Sequence, residues 1–331
     1  MSAKITSEDE LIRMYLAPLT RSFEGAFHLA DDCAIYTPVP GRELVITTDA
    51  VAAGVHFFAD DAPEDIAWKA LTVNVSDLAS KAAAPRVYQM ALSFPEAPSH
   101  EFMQRFANGL AEAQAAFGIV LSGGDTDRRP GPLSITVTAI GEVEMGVRLT
   151  RDGARAGDAI FVTGTLGDAA CGLKLRRGDE DARAWAIAAD ERAHLVSRYL
   201  RPRPRLEAAQ LLRRFASASL DLSDGLAKDL GRLAAAASAG AIVDRERLPL
   251  SPAVQSVLTT DPALIQAVLG GGDDYELLFT ARPDAETAIV DHAREAGLRV
   301  TRIGTMRAER GLTLASATGE KPLQPSGWDH F

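Results

Sequence analysis

Residues 44–85 read LVITTDAVAAGVHFFADDAPEDIAWKALTVNVSDLASKAAAP, and the fold turns on how they divide. Leu44, Val45 and Ile46 open a strand that runs straight into Thr47-Thr48-Asp49, and His56 follows on the far side of a short loop. Pro63 and Glu64 then open a helix over about 64–82, with Ile66, Ala70, Val73 and Leu78 on its apolar side. That helix carries Asn74, Ser76 and Asp77 and ends at Lys81-Ala-Ala-Ala-Pro85. Carboxylates, hydroxyls and a histidine thus sit where a strand meets a loop and where a helix passes. An oxygen-rich set suits a hard cation such as Mg2+. The segment reads as half of a Mg-nucleotide site.

A chain of 331 residues is long for one core, so two domains are expected. With 47% hydrophobic and 24% charged residues it has an ordinary globular composition. The formal charge of −10 argues against a general nucleic-acid binder, which needs a basic face. A nucleotide ligand stays open, because metal ions can neutralise phosphates and carboxylates together. Two cysteines, Cys33 and Cys171, supply neither a disulfide framework nor a C-x-x-C metal pair, which favours a reducing cytoplasmic setting. Both are expected to be small buried apolar residues. The start MSAKITSEDE lacks the basic and apolar parts of a signal peptide. No apolar run reaches the roughly 18 residues of a membrane span, so no membrane partner is expected.

Outward from the opening stretch, residues 5–16 read as a short helix with Ser7 as N-cap and Glu10 as its capping-box partner. Asp31-Asp32 runs into an apolar strand at Cys33-Ala34-Ile35, and Pro38–Gly41 is a turn. Val87–Phe94 is a strand, and 99–117 an amphipathic helix with Phe102, Phe106 and Leu110 inward. Ile119–Leu121 is a short strand ending at Ser122-Gly123-Gly124-Asp125-Thr126, and Leu133–Val143 is another strand. Beyond Arg151, strands are expected at 159–163, 220–222, after 274 and at 299–305, with helices capped by Asp168, after Gly225 to about 239, and at 284–296. Arg201-Pro-Arg-Pro-Arg205 is extended. The result is a mixed α/β, or α+β, chain of two domains, 1–150 and 151–331, meeting near 148–156.

Six motifs share one layout, an apolar strand or glycine turn delivering aspartates to a loop. They are Asp31-Asp32, Thr47-Thr48-Asp49, Ser76-Asp77, Gly124-Asp125, Asp221-Leu-Ser-Asp224 and Gly272-Asp273-Asp274. Any one of them could be a solvated turn or a helix cap. Six together point to a multi-metal polyphosphate site, because converging carboxylates repel unless cations lie among them. Gly123-Gly124 and Gly270–Gly272 could bring backbone N–H groups to phosphate, or could be plain tight turns. His56 either contacts an anionic substrate or caps a strand end. Arg151 either grips phosphate or makes a surface ion pair. Trp328 is either a core anchor or a stacking platform. There is no G-x-x-x-x-G-K-[ST] P-loop, no protein-kinase H-R-D…D-F-G set and no G-x-S-x-G elbow.

The runs DDCAI (31–35), TTDAVAAGVHF (47–57), NVSDLASKAAAP (74–85), SGGDT (122–126), RDGARAGDAIFVTGTLGDAA (151–170), DLSDGL (221–226), GGGDDYELLF (270–279) and WDHF (328–331) occur in order. Together they strongly resemble the thiamine-monophosphate kinases. That family belongs to the ATP-binding superfamily of aminoimidazole ribonucleotide synthetase, selenophosphate synthetase and a hydrogenase maturation factor. The resemblance implies ATP-dependent phosphorylation of thiamine monophosphate to thiamine diphosphate. It implies the two-domain synthetase-like fold, a homodimer formed through the N-terminal domains, and the nucleotide between the domains. Carried over residue by residue, it implies Mg2+ on Asp32, Thr47, Thr48, Asp49, Asp77, Asp125, Asp221 and Asp224. ATP would contact Gly124, Asp125, Arg151 and Ser223, and the substrate His56 and Asp273. The family often has Glu at the position of Asp273, so that contact would be a methylene shorter or bridged by water. Trp328 is the nearest candidate for the aromatic that stacks on the thiamine ring.

The chemistry agrees with the residues. The acceptor is an ionised phosphate oxygen, so transfer needs alignment and charge neutralisation rather than a strong base or a covalent nucleophile. The alternatives are a sister enzyme using ATP on another substrate, or a non-catalytic metal-binding module. Selenophosphate synthesis would call for a reactive Cys ahead of a glycine-rich N-terminal segment, whereas Cys33 follows Asp31-Asp32 directly. The maturation factor would call for a C-terminal Cys, whereas the sequence closes on Phe331.

Overall fold

The computed structural model describes residues 3–329. His330 and Phe331, which close the WDHF run, lie outside the described residues, as do Met1 and Ser2 of the N-terminal reading. The chain divides into two compact units between Gly146 and Val147, with Ala79–Ala82 counted in the second.

The first unit holds α1 (Glu8–Leu11), β1 (Arg42–Ala52), α2 (Pro63–Ser80), β2 (Ala84–Phe94), α3 (His100–Phe117), β3 (Val120–Arg128) and β4 (Ser134–Glu144). The four strands form one sheet in the order β1-β4-β2-β3, antiparallel except for the β2–β3 pair. One face is the core. Val137 and Ile135 of β4, Met90 and Leu92 of β2 and Leu121 of β3 are buried there with Phe106 and Leu110 of α3. The other face is open and carries Thr48, Ala50, Thr136, Thr138 and Gln89, with Leu44 and Ile46 exposed at 43% and 61%. The two faces follow from the strand period of two residues.

Several expectations change here. β1 does not give way to a loop at Thr47-Thr48-Asp49 but runs through them to Ala52, since β4 pairs with it residue for residue. β3 likewise runs through Ser122–Thr126 as a strand beside β2, with a register shift at Tyr88/Gln89. Among the described residues Cys33–Ile35 joins no sheet, and the Ile35 N–H donates to the Gly25 carbonyl instead of to a strand. Cys33 is exposed rather than buried, while Cys171 is buried. Ser7 does cap α1, accepting the Glu10 N–H at 3.2 Å. Glu10 reaches past it to Thr6, whose N–H donates at 2.8 Å, so the capping box is displaced by one residue. Phe106 and Leu110 face inward as expected, and Ser99 caps α3. Helix α2 is buried on nearly all sides, since Ala67, Leu71, Asn74, Val75 and Ser76 are covered as well as the expected apolar side.

The second unit contains β5 (Ala159–Thr163), α4 (Asp168–Arg177), α5 (Glu180–Arg183), α6 (Ala189–Leu200), α7 (Ala209–Phe215), β6 (Ala216–Asp221), α8 (Leu226–Ala236) and β7 (Gly240–Asp244). It continues with α9 (Pro252–Thr260), α10 (Ile265–Gly270), β8 (Leu277–Ala281), α11 (Glu286–Glu295), β9 (Val300–Arg307), β10 (Gly311–Ser316) and β11 (Gly319–Pro322). Seven strands form a mixed sheet in the order β11-β10-β7-β9-β5-β8-β6. Its central strands β5 and β8 are buried at every residue, as sheets covered on both faces require. Asp168 is the buried first residue of α4 rather than its cap, a place taken by Gly167 at φ 84°. The mixed α+β class expected from the sequence is the one observed. Among the described residues no helix is long and apolar enough to cross a membrane.

Candidate functional site

Each unit carries its own polar centre, and each is built differently. In the first unit a cavity of about 590 Å³ opens beside the SGGDT run. Asp31, Asp32, Gly123, Gly124, Asp125 and Thr126 give it polar lining. Ile12, Leu16, Ala26 and Leu29 give it apolar lining as well. That volume and mixed lining suit a small ligand with a charged end and an apolar end. At Gly124 a side chain is sterically excluded, because a Cβ would lie 1.9 Å from the Met90 carbonyl oxygen. Gly124 thus packs directly on β2, and it lines the cavity beside Asp125. Phe27, His28 and Leu29, just ahead of the acidic pair, have φ of 50°, 56° and 57°. Three successive left-handed residues with side chains are uncommon and are held only where the surroundings impose them.

Asp49 and Asp77 lie on the helix side of the sheet. Asp77 on α2 accepts a hydrogen bond from the Thr47 hydroxyl at 2.5 Å. The Asp49 N–H donates to Asn74 Oδ1 at 3.0 Å, and Asn74 is itself fully buried. Asn74 and Asp77, three apart on one helix face, thus sit under β1 as their spacing allows. Thr48 points the other way and shares a 2.9 Å hydrogen bond with Thr138 on the open face. The strand therefore separates neighbours that the sequence placed in one cluster. His56 Nδ1 accepts the Ala52 N–H at 3.1 Å, which ties the ring to the end of β1 and leaves Nε2 as the protonated nitrogen of the neutral ring. One partner was not legible: Glu8 of α1 accepts from the Thr126 hydroxyl at 2.7 Å and lines the cavity. No local pattern marks Glu8, since the two residues are 118 positions apart.

In the second unit three loops are stitched together by their backbones. The N–H of Asp273 donates to the Ser223 carbonyl at 2.9 Å, that of Tyr275 to Leu222 at 2.9 Å, and that of Trp328 to Asp224 at 3.0 Å. Glycines make this closeness possible. A Cβ at Gly272 would lie 2.4 Å from the Ser223 oxygen, and one at Gly327 would lie 2.3 Å from that of Asp224. Asp221, Ser223, Asp224, Asp273 and Trp328 are thereby gathered, and Trp328 is 47% exposed. The turn Arg151–Gly153 lies beside β6, with Gly153 packed on the Ser217 carbonyl and Arg151 exposed.

Charges set the tone of this centre. The Asp224 carboxylate pairs with Arg232 at 2.5 Å and with Lys228 at 3.8 Å. Lys228 also donates to the Trp328 carbonyl. Asp229 accepts the N–H groups of Asp224 and Gly225 at 2.9 and 3.1 Å, and burial pushes its carboxyl up to about 6. Asp274 is fully buried, accepts the Gly167 N–H through both oxygens, and is pushed well above the usual carboxylate range by that burial. Asp273 and Tyr275 flank it with φ of 68° and 49°.

Among the described residues no three His, Cys, Asp or Glu side chains lie close enough to hold a metal ion by themselves. Oxygen donors are nonetheless present in the form a hard cation uses, mixing carboxylates with hydroxyls and leaving room for water and ligand oxygens.

Residues 30–143 match the family model of the AIR synthase related protein, N-terminal domain, and residues 155–316 match that of its C-terminal domain. The chain is 37% identical to a thiamine-monophosphate kinase of Caulobacter vibrioides, over 99% of this chain and 92% of that protein. It is 40% identical to the thiamine-monophosphate kinase of Escherichia coli K12, over 92% and 91%. Among solved structures it is similar to the thiamine-monophosphate kinase of Stenotrophomonas maltophilia (42% identity, 86% and 89% of the two chains, TM-score 0.79). It is also similar to AaThiL complexed with AMPPCP and TMP (31% identity, 98% and 97%, TM-score 0.77).

Proposed function

We propose, from the premise that this chain belongs to the AIR synthase related family and within it to the thiamine-monophosphate kinases, that it phosphorylates thiamine monophosphate to thiamine diphosphate at the expense of ATP. The observation that carries this reading is similarity along nearly the whole length of both partners. The complex of a neighbour with AMPPCP and TMP supports a nucleotide and thiamine monophosphate as the two substrates.

The cavity of the first unit is our candidate for the nucleotide. Its apolar lining suits a base, and Gly124 with Asp125 suits the phosphates. Mg2+ is proposed on Asp32, Thr47, Thr48, Asp49, Asp77 and Asp125 of the first unit, and on Asp221 and Asp224 of the second. Bound there, the ions would neutralise charge on the transferred phosphoryl group. Thr47, Asp77 and Asn74 hold the helix side of β1 in place for this role. Arg151 and Ser223 are proposed to bind ATP, and His56, Asp273 and Trp328 to bind thiamine monophosphate. The His56 ring, fixed through Nδ1, can offer Nε2–H to a phosphate oxygen. The acceptor oxygen is already ionised at neutral pH, so these residues align and exclude water rather than remove a proton. Domains 1–150 and 151–331 then divide the work into nucleotide binding with dimerisation and completion of the substrate site.

A homodimer is part of the reading, supported by the open sheet face with exposed Leu44 and Ile46. A cytoplasmic setting is supported by the two unpaired cysteines. The test is ADP release from ATP with thiamine monophosphate, with and without Mg2+. Release that depends on both is expected; ADP formation indifferent to thiamine monophosphate would remove the reading.

A further inference from the structure

Beneath the 270–276 loop lies a buried ionic cluster that the proposed chemistry does not use. Glu276, at 0% exposure, directly precedes β8. Its Oε1 accepts from Arg198 Nη2 at 2.9 Å and from Arg205 Nη2 at 2.5 Å. Its Oε2 accepts from Arg205 Nε at 2.6 Å and from the Thr163 hydroxyl at 2.7 Å. Thr163 Oγ1 in turn accepts the Leu277 N–H at 2.8 Å. Arg198 also donates to the Asp274 carbonyl at 3.2 Å. One carboxylate therefore joins β5, α6 and the extended 201–205 run to the loop that carries Asp273. A Cβ at Gly164 would lie 2.1 Å from Glu276 Oε1, so the neighbouring chain leaves room for this carboxylate and nothing more.

Stability does not account for such a cluster. Replacing a buried ionic triad with apolar residues of similar volume is often neutral or stabilising, and the best-attested use of one is to fix register. The segment it grips needs fixing. Asp273 and Tyr275 hold left-handed conformations that side chains disfavour, on either side of the Asp274 carbonyl that Arg198 grips. The tie from this loop to Ser223 and Leu222 is made by backbone groups, which side-chain replacement at 276 leaves in place.

We propose that Glu276, with Arg198 and Arg205, is a positioning clamp that sets Asp273 for thiamine monophosphate and so governs acceptor recognition rather than nucleotide binding. This rests on the function proposed above. Its test uses two variants of the full chain. One is the apolar triad Glu276→Met/Arg198→Met/Arg205→Leu, which removes the charges together. The other is Arg205→Lys, which keeps the charge and loses the planar two-pronged contact. We expect the KM for thiamine monophosphate to rise about tenfold or more in the first and about threefold in the second, with the KM for ATP within about twofold of the parent in both. An unchanged acceptor KM overturns the proposal, as does an equal rise in both KM values, which would mark a merely structural role. Should the triple variant fail to fold, Arg205→Lys decides by the same split. A parent protein that releases no ADP with thiamine monophosphate would instead overturn the proposed function.

Discussion

The two polar centres of this molecule reach similar residue types by opposite routes. In the first unit Thr47, Thr48, Asp49 and Asp125 ride on strands. Thr47 and Asp49 turn toward α2, while Thr48 and Asp125 lie on the open face on the two outermost strands. Three strand spacings put those outer strands roughly 14 Å apart. In the second unit Ser223, Asp224, Asp273 and Trp328 ride on loops, and backbone hydrogen bonds draw them together. Strand period disperses neighbours in sequence; loop stitching gathers residues a hundred positions apart. A site on strands is rigid but needs ligand and water to complete it, whereas a loop site is compact and depends on what pins the loops.

The largest expected effect tests whether both centres serve one reaction. Asp49→Asn and Asp224→Asn each exchange a proposed metal-ligating carboxylate for an amide. We expect turnover to fall by about 100-fold or more in each, beyond the 10–100-fold that follows loss of a ligand's supporting partner. Circular dichroism should remain that of the parent. Normal turnover in both would remove the metal assignment. Normal turnover in Asp224→Asn alone would remove Asp224 from the metal assignment and leave Asp221 as the second unit's proposed ligand.

The same contrast explains what was legible. Helix α3 announced itself through the spacing of Phe102, Phe106 and Leu110, because an amphipathic helix is a local pattern. The fully buried β5 was equally plain as an apolar run. The SGGDT run was read as the end of a strand because Gly and Asp are poor strand formers. Pairing with β2, through its register shift, overrode that preference. Cys33–Ile35 failed the other way, having strand-like residues without a partner strand. Strand β7 was missed because its run, Gly240–Asp244, opens on Gly and closes on Asp, both poor strand formers. In the site, the glycine runs at 270–272 and the Ser223-Asp224 turn were visible, since only small residues permit such approach. The side of β1 that each of Thr47, Thr48 and Asp49 would face was hidden until the length of the strand was known. Glu8 and the Glu276 cluster were invisible, because their partners meet only after long-range packing.

A second pair of variants asks how rigid each centre is. Gly124→Ala would set a Cβ, carried on the edge strand β3, 1.9 Å from the Met90 oxygen of β2, a strand that β3 and β4 hold from both sides. Gly272→Ala would set one 2.4 Å from the Ser223 oxygen, between loops that can shift. The first should lose about 1–3 kcal/mol of stability, the range for overpacking a close-packed interior. The second should lose less stability but raise the KM for thiamine monophosphate severalfold. Urea midpoints and acceptor titrations measure the two effects, and the reverse order would break the distinction between a rigid and a pinned site.

The smallest effect comes from adjacent residues that face opposite ways. Thr47→Val keeps shape and removes the hydroxyl that donates to Asp77, leaving a half-buried carboxylate short of one donor. It should cost about 1 kcal/mol, the usual net value of such a bond, and should lower turnover as well. In the metal-free chain Thr48→Val removes an exposed hydroxyl pair with Thr138, so the isolated chain should stay within about 0.5 kcal/mol. Thr48 lies on the open sheet face that the proposed second copy would cover. Its replacement should therefore show in sedimentation, as a changed dimer constant, before it shows in melting. If Thr48→Val proves as destabilising as Thr47→Val in dilute monomer, the two faces of β1 do not divide the labour as the alternation of its side chains implies.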